Sequence, residues 1–261
     1  MKKLKSLCII SAFWTLSVSP AQAQCDTTYL SQVLQGGQML ADYIWNFFPI
    51  NEEQEEEIGN EMFDYMKENF KLIPNDKRQK KLEKILDKLT PFVFKPGIKY
   101  EIHLVDDNDL INAFSIAGGH LFVTTGIMSW VESDDELAFI IGHEIGHVDL
   151  GHCVRHVQRK VSIQAISDYF EMGKYSGIID QVQEIAGTPF GQADEYSADR
   201  AGAYYTWKAG YNPAKGKDFF NKLKKNEKNG GTTLEVLLRS HPFSEQRANC
   251  LDYYIKNELK K

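Results

Sequence analysis

The spacing of apolar residues predicts a chain that is mostly helical, with a small sheet near its middle. Apolar residues recur at helical spacing over residues 28 to 48, 51 to 71 and 76 to 89. Short segments typical of strands run from Ile98 to Val105 and on each side of Gly118-Gly119. Helical spacing then resumes to the end of the chain. The pattern therefore favours an α+β fold that is mainly helical.

The helix with the clearest start signal begins at Ser133. Ser133 is followed three residues later by Glu136, which together are typical of a capping box. Every residue from Leu137 to Ile141 is apolar, which indicates a helix buried on nearly all sides. Gly142 and Gly146 would weaken an exposed helix. We therefore expect the backbone of a neighbouring element to approach this helix closely at the two glycines.

This helix carries an H-E-x-x-H motif at residues 143 to 147. Residues four apart lie one turn apart on the same helix face, so His143 and His147 can direct nitrogens at one metal ion. Glu144 is placed beside the first histidine, where its carboxylate can act as the general base for an attacking water. The motif predicts a catalytic zinc site. The alternative is a pair of core histidines that bind no metal.

A catalytic zinc ion usually takes three protein ligands, so another must come from elsewhere in the chain. His152 would fall on the opposite face of a continuous helix from His143, so we expect His152 and His156 to lie at the surface or behind the ligands. Glu195 is the better candidate. Glu195 and Asp199 are four apart, so one can ligate zinc while the other accepts a ring N–H from a ligand histidine. The alternative is a solvent-exposed charged helix face.

These motifs and two further segments resemble the gluzincin peptidases related to the HtpX heat-shock protease, the mitochondrial Oma-type protease and the CAAX prenyl proteases. That family carries H-E-x-x-H and then E-x-x-x-D, matched here by residues 143 to 147 and 195 to 199. Residues 112 to 127 are similar to its N-A-F strand, glycine turn and second strand, and residues 240 to 247 to its H-P-x-x-x-x-R element. The resemblance covers about residues 50 to 257 and implies a zincin-like metallopeptidase domain.

The resemblance also implies roles for His241 and Arg247. His241 would border the metal, where it either stabilises the oxyanion or acts as a fourth ligand in a latent form; the alternative is a residue that only precedes a helix. Arg247 would pair with Glu195 or Asp199. The expected site therefore has one zinc ion per chain, held by His143, His147 and Glu195, with Asp199 behind them and with Glu144, His241 and Arg247 as catalytic residues.

The first 23 residues are typical of a secretory signal peptide. Three lysines precede an apolar stretch from Leu7 to Val18, and residues 21 to 23 form an A-x-A cleavage site. We expect a single periplasmic or secreted domain over residues 24 to 261, without a transmembrane segment, because the apolar stretch is shorter than the ~20 residues that span a bilayer. Lipid anchoring through Cys25 is less favoured, since Gln24 lies where a lipobox has a small residue.

The net charge of the chain bears on the partners it can bind. Residues 1 to 23 contain three lysines and no acidic residues, so their removal changes the net charge from −6 to −9. A negative net charge does not favour a nucleic-acid partner.

Three cysteines remain after residue 23, namely Cys25, Cys153 and Cys250, so at least one is unpaired within the chain. Cys25 and Cys250 are candidates for a disulfide in an oxidising compartment.

The residues and the resemblance together predict a zinc-dependent endopeptidase that hydrolyses internal peptide bonds of exported or envelope polypeptides, unfolded or misassembled, in protein quality control. An exposed strand edge at residues 112 to 116 would hold the substrate in extended form. Residues 161 to 189 are expected to form either a lid over the cleft or two ordinary helices. Two other classes stay open: a latent zinc-binding chaperone or regulator with little turnover, and a structural helical protein whose motif is incidental.

Overall fold

The computed structural model of the 261-residue chain describes residue 25 and residues 50–160, 189–228, 235–242 and 245–259. Three predicted segments lie outside the described residues: the signal peptide, the helix at residues 28 to 48, and the lid or pair of helices up to residue 188. The described elements are α1 (Glu52–Asn69), α2 (Lys77–Leu89), β1 (Glu101–Val105), β2 (Ala113–Ser115), β3 (His120–Thr124), α3 (Thr125–Trp130), α4 (Asp134–Asp149), α5 (His152–Lys160), α6 (Gln192–Lys208), α7 (Lys215–Lys228), α8 (Glu235–Ser240) and α9 (Glu245–Asn257). The mainly helical α+β architecture is therefore confirmed.

The three strands form one small sheet in the order β1–β3–β2. Strand β1 runs parallel to β3, and β2 runs antiparallel to it. The turn between β2 and β3 holds Gly118 and Gly119 at φ 76° and 90°, a conformation that glycine adopts without a steric cost. The two predicted strands at this turn are confirmed. The first strand begins at Glu101 and not at Ile98, because the turn at Pro96 extends through Ile98.

Alternate residues of the sheet face two different apolar layers, because successive side chains of a strand point to opposite faces. Leu121 and Val123 belong to the larger layer, which includes α2 and α4. Phe114 and Phe122 belong to a second layer with residues of α1. The same alternation puts Ser115, two residues after Ala113 of the larger layer, on the side of the sheet that faces α4.

Helix α4 begins where the sequence predicts. The Ser133 hydroxyl accepts a hydrogen bond from the backbone N–H of Glu136 at 3.2 Å. The expected capping box is incomplete, however, because the Glu136 carboxylate accepts from the backbone N–H of Glu132 and pairs with Lys222 at 2.7 Å. Ser133 alone therefore caps the helix.

Helices α4 and α6 pack with their backbones in contact. The residues from Leu137 to Ile141 are at most 5% exposed, which confirms a helix buried on nearly all sides. A Cβ atom added to Gly142 would lie 3.0 Å from the carbonyl oxygen of Gly202, and one added to Gly202 would lie 2.8 Å from the backbone nitrogen of His143. The close backbone approach expected from the glycines of α4 is confirmed.

Helix α4 ends one turn earlier than a continuous helix through His152 requires. Asp149 is its last residue, and Gly151 at φ 70° redirects the chain into α5, which begins at His152. The Asp149 carboxylate accepts backbone hydrogen bonds from Phe94 at 2.8 Å and from Lys95 at 2.6 Å. These contacts hold the end of α4 against the segment that precedes β1.

A disulfide joins Cys25 to Cys250 on α9, the pairing that the sequence suggested. The two Cα atoms are 5.2 Å apart, within the range that disulfides span. Cys153 is a buried free thiol. None of the described helices is both long enough and apolar enough to cross a lipid bilayer.

Candidate active site

Four buried side chains from three parts of the chain meet at one point. His143 and His147 lie on α4, Glu195 lies on α6, and His241 directly follows the last residue of α8. The Nε2 atom of His143 lies 3.0 Å from that of His147 and 3.3 Å from His241 Nδ1. Glu195 Oε1 lies 3.3 Å from His147 Nε2 and 3.1 Å from His241 Nδ1. The structure thus brings the predicted ligand residues together and adds His241 to them.

The spacing of these four atoms fits a zinc ion. Zinc–nitrogen bonds of about 2.0–2.1 Å in a tetrahedral shell place neighbouring ligand atoms about 3.3–3.4 Å apart. The four distances given above, between 3.0 and 3.3 Å, are close to that value. Imidazole nitrogens and a carboxylate oxygen are also donors that zinc accepts. Each of the four residues is at most 6% exposed, so the group they form is buried.

Glu144 lies beside this group with its carboxylate directed toward β2. The Ser115 hydroxyl donates to Glu144 Oε2 at 3.0 Å, and Glu144 Oε1 lies 3.5 Å from His241 Nε2. Burial raises the pKa of the Glu144 carboxyl, whereas His241, His143 and the Ser115 hydroxyl act in the opposite direction. A carboxyl with a raised pKa can take up and release a proton closer to neutral pH.

A buried arginine holds the two carboxylates of α6. Arg247 donates from Nε to Asp199 Oδ2 at 2.9 Å and from Nη2 to Asp199 Oδ1 at 2.7 Å, and its Nη1 lies 2.5 Å from Glu195 Oε2. Burial alone would raise the pKa of Glu195, but Arg247 and His241 outweigh it and hold that pKa well below its usual range. Asp199 Oδ1 lies 3.0 Å from His143 Nδ1, the nitrogen on the far side of the ring from His147. Arg247 therefore pairs with both carboxylates.

His152 lies behind His147, which is one of the two positions expected for it. The Nδ1 atoms of His147 and His152 are 3.1 Å apart, and His152 Nε2 lies 3.1 Å from the Ser197 hydroxyl. Burial lowers the pKa of His147 to about 3 and that of His152 well below its usual range, so both rings are neutral at pH 7. A neutral imidazole can donate from one nitrogen and accept at the other.

Of the two positions expected for His152 and His156, the surface position is wrong, since the two are only 3% and 8% exposed. The physical reason is the break at Gly151, which places His152 at the start of α5 beneath the motif helix. The solvent-exposed alternative for Glu195 and Asp199 is also wrong, because both are buried against α4. Strand β2 does lie at an edge of the described sheet, but the expectation that this edge is exposed is wrong, because every residue from 112 to 116 is buried.

Sequence reasoning also missed Ser115. Ser115 lies two residues after Ala113 on β2, so strand alternation indicates that both occupy the same face of the sheet. This alternation is the sequence feature that could have identified the position of Ser115. Its partner, Glu144, is 29 residues away on α4, and strand alternation cannot identify such a partner.

Two small, mainly apolar cavities border the site, and His241 lines both of them. The lining of one includes Ser115, Phe114 and Phe190. The lining of the other includes Glu144, Phe139 and Phe220. Apolar side chains therefore lie next to the group formed by the α4 and α6 side chains.

Residues 76 to 255 match the model of peptidase family M48. The chain is 31% identical over 160 residues to the mitochondrial metalloendopeptidase OMA1 of Arabidopsis thaliana, covering 59% of this chain and 31% of that protein. It is 28% identical over 181 residues to the metalloprotease LoiP of Escherichia coli strain K12, covering 67% and 69%. It is 26% identical over 161 residues to the β-barrel assembly-enhancing protease of Yersinia pestis, covering 57% and 33%.

The chain thus spans about a third of two of these relatives and about two thirds of LoiP. The matched segment contains the motif helix α4, the Glu195 helix α6 and the segment with His241 and Arg247. The similarity to the HtpX and Oma-type proteases inferred from the motifs is confirmed. The chain belongs to peptidase family M48, whose members are zinc metallopeptidases.

Proposed function

We propose that the chain is a zinc-dependent endopeptidase that hydrolyses internal peptide bonds of unfolded or misassembled polypeptides. The observation that carries the proposal is the convergence of the donor atoms of His143, His147 and Glu195, with Glu144 held beside them by Ser115. In this proposal the three donors are the ligands of one zinc ion per chain. The metalloprotease activities named for the relatives support the same reaction.

The bound zinc ion would supply Lewis acidity for the scissile carbonyl and the attacking water. The Glu144 carboxylate takes a proton from that water and passes it to the leaving amine. Ser115 fixes the direction of the carboxylate through its hydrogen bond. Asp199 accepts the Nδ1 proton of His143, so that the Nε2 lone pair faces the ligand group. Arg247 orients both α6 carboxylates and keeps Glu195 ionised.

The substrate class in this proposal follows from the two apolar cavities beside the site. Both cavities present apolar side chains beside the site, which favours substrates with accessible apolar side chains, and unfolded proteins expose such side chains while folded ones bury them. The named role of one relative in β-barrel assembly supports a function in envelope protein quality control. The signal-like residues 1 to 23 support a periplasmic or secreted location.

The proposal is tested by cleavage of unfolded casein, with bound zinc measured in each sample. Glu144→Gln keeps the shape of the side chain and removes the base, so we expect activity to fall by a factor of about 10²–10⁴ while zinc is retained. Glu132→Gln, at an exposed position just before the same helix, is the matched control and should keep full activity. A wild-type protein that holds zinc and does not cleave casein would contradict the proposal.

A second candidate is a zinc-binding chaperone or regulator kept latent by His241. The observation that favours it is the position of His241 Nδ1, 3.1 Å from Glu195 Oε1 and 3.3 Å from His143 Nε2, where it can serve as a fourth ligand. His241→Ala should then raise casein cleavage. If His241 instead stabilises the oxyanion, the same substitution should lower cleavage, because a charge-stabilising group is lost.

A further inference from the structure

A second cluster of metal-binding side chains lies on the face of the sheet opposite α4. Glu101 and His103 alternate with the apolar residues of β1 that face the larger core, and His120 is the register partner of Glu101 on β3. His103 Nε2 lies 3.2 Å from His120 Nδ1, which lies 3.7 Å from Glu101 Oε2. We propose that Glu101, His103 and His120 bind a divalent transition-metal ion, separate from the ion of the proposed catalytic site.

The geometry and the donor types carry this assignment. One ligand atom from each of the three side chains lies within 4.8 Å of the other two. The 3.2 Å between the two nitrogens is close to the separation of about 3.3 Å in a tetrahedral zinc shell. Lys99 pairs with Glu101 through Oε1, which leaves Oε2 facing His120. The Glu101 side chain is 35% exposed, so water can complete the shell.

The surroundings of the two imidazoles favour ligation. His120 Nε2 lies 3.3 Å from Asn60 Oδ1, which only accepts hydrogen bonds, so Nε2 carries the ring proton and the Nδ1 lone pair faces the cluster. His103 then donates from Nε2 to that lone pair. When an ion binds, this proton moves to His103 Nδ1 through solvent, and both nitrogens become ligands without a change in ring charge.

The ring of Phe63 holds both imidazoles in place. Its centroid lies 4.4 Å from that of His103 and 4.5 Å from that of His120, with interplanar angles of 24° and 5°. Stacking on one aromatic surface limits rotation of the two rings, so little conformational freedom remains to be lost on binding. The ion would join β1 to β3 and, through Asn60, both strands to α1.

The test is calorimetric titration of the metal-free full chain with Zn²⁺. We expect two ions per chain in the wild type, one in His103→Phe and one in His147→Ala. The phenylalanine keeps the stacking on Phe63 and removes only the nitrogens. Asn60→Ala keeps all three ligands and removes the partner that fixes the His120 tautomer, so the second ion should bind about 10–100-fold more weakly.

An ion stoichiometry and affinity that His103→Phe leaves unchanged, or the absence of any bound ion in His147→Ala, would overturn the assignment. If His103→Phe does not fold, Glu101→Gln at the solvent edge repeats the test, and an unchanged second affinity again overturns it. In His147→Ala the second ion should still raise the temperature of unfolding, because it binds the folded state. Loss of the proposed catalytic ion alone leaves this result unaffected, so the two proposals fail separately.

Discussion

Ser115 and His152 are among the side chains outside the H-E-x-x-H motif that contact its residues. The Ser115 hydroxyl donates to Glu144, and His152 lies against the Nδ1 side of His147. The motif places donor atoms and a base on one helix face, but a helix alone does not set their charge or direction. In metalloenzymes these properties depend on the outer hydrogen-bond partners. Two residue-scale predictions follow from these contacts.

Ser115→Ala should lower kcat/KM on casein by about tenfold or more, because a hydrogen bond to a charged group contributes about 1.5–3 kcal/mol. The Ser115 hydroxyl lowers the pKa of Glu144, so its loss raises that pKa further. Glu144 as the proposed base would work only when ionised, and the acid limb of the pH profile should therefore move to higher pH. The measurement is the pH dependence of kcat/KM for both proteins. If the acid limb of Ser115→Ala lies at the same pH as that of the wild type, the result would contradict a hydrogen bond from Ser115 that lowers the pKa of Glu144.

His152→Ala should weaken zinc binding by about 10–100-fold, since it removes the partner that orients the His147 ring. Competition with a chelator of known affinity measures the change. Thermal unfolding of the metal-free variant serves as the control, because it separates a loss of ring orientation from a loss of packing around the buried His152. Equal zinc affinity in both proteins would show that His147 is oriented by other contacts.

At the scale of elements, the pair α4 and α6 carries most of the site. The start of α4 is predictable because the capping hydrogen bond joins Ser133 to Glu136, which are only three residues apart in the sequence. The end of α4 is not, since Gly151 acquires its role only through the left-handed turn that brings His152 to Ser197. Local sequence patterns therefore predict the helices, the strands and the H-E-x-x-H motif. The hydrogen-bond partners behind the motif residues depend on contacts between distant segments, which local patterns do not predict.

Gly202→Ala should disrupt the contact between these two helices. The added Cβ would lie 2.8 Å from the backbone nitrogen of His143, and the backbone cannot give way as a side chain can. We expect the free energy of unfolding to fall by about 1–3 kcal/mol and zinc affinity to fall with it, because the shift separates ligands on the two helices. Chemical denaturation and zinc titration measure both effects.

Gly97→Ala is the matched control for that substitution. Its Cβ would meet only the carboxylate end of Glu52, which can rotate away. A change within about 0.5 kcal/mol is expected there. If Gly202→Ala lowers the free energy of unfolding as little as Gly97→Ala does, the packing of α4 against α6 does not depend on the contact between their backbones.

At the scale of the whole molecule, the disulfide joins Cys25 to the helix that carries Arg247. Cys250 and Arg247 lie three residues apart on α9, and Ala248, Leu251 and Ile255 of that helix are buried in the larger core. The cross-link thus spans 225 residues and ends beside the arginine that holds the α6 carboxylates. Its contribution to stability comes mainly from restricting the unfolded chain.

Cys25→Ser should lower the free energy of unfolding by up to about 5 kcal/mol, the value that chain entropy gives for a loop of this length. Denaturation under non-reducing conditions measures the loss. The double variant Cys25→Ser/Cys250→Ser should lose no more than the single one, because both remove the same bond. A single variant as stable as the wild type would show that the disulfide restrains little of the unfolded chain.

The buried arginine has a further consequence for which ion the pocket accepts. Glu144, Glu195 and Asp199 bring three formal negative charges into a region where Arg247 is the permanent cation among the residues described here. Burial lowers the pKa of His241, but Glu144 and Glu195 outweigh it and raise that pKa to about 9. A histidine that ligates a metal ion is neutral, so with an ion bound the formal sum of the residues is two negative charges, and a dication brings it to zero. Unbalanced charge is costly away from water. Electroneutrality therefore favours a doubly charged occupant over a monovalent one, independently of the geometry of the donors.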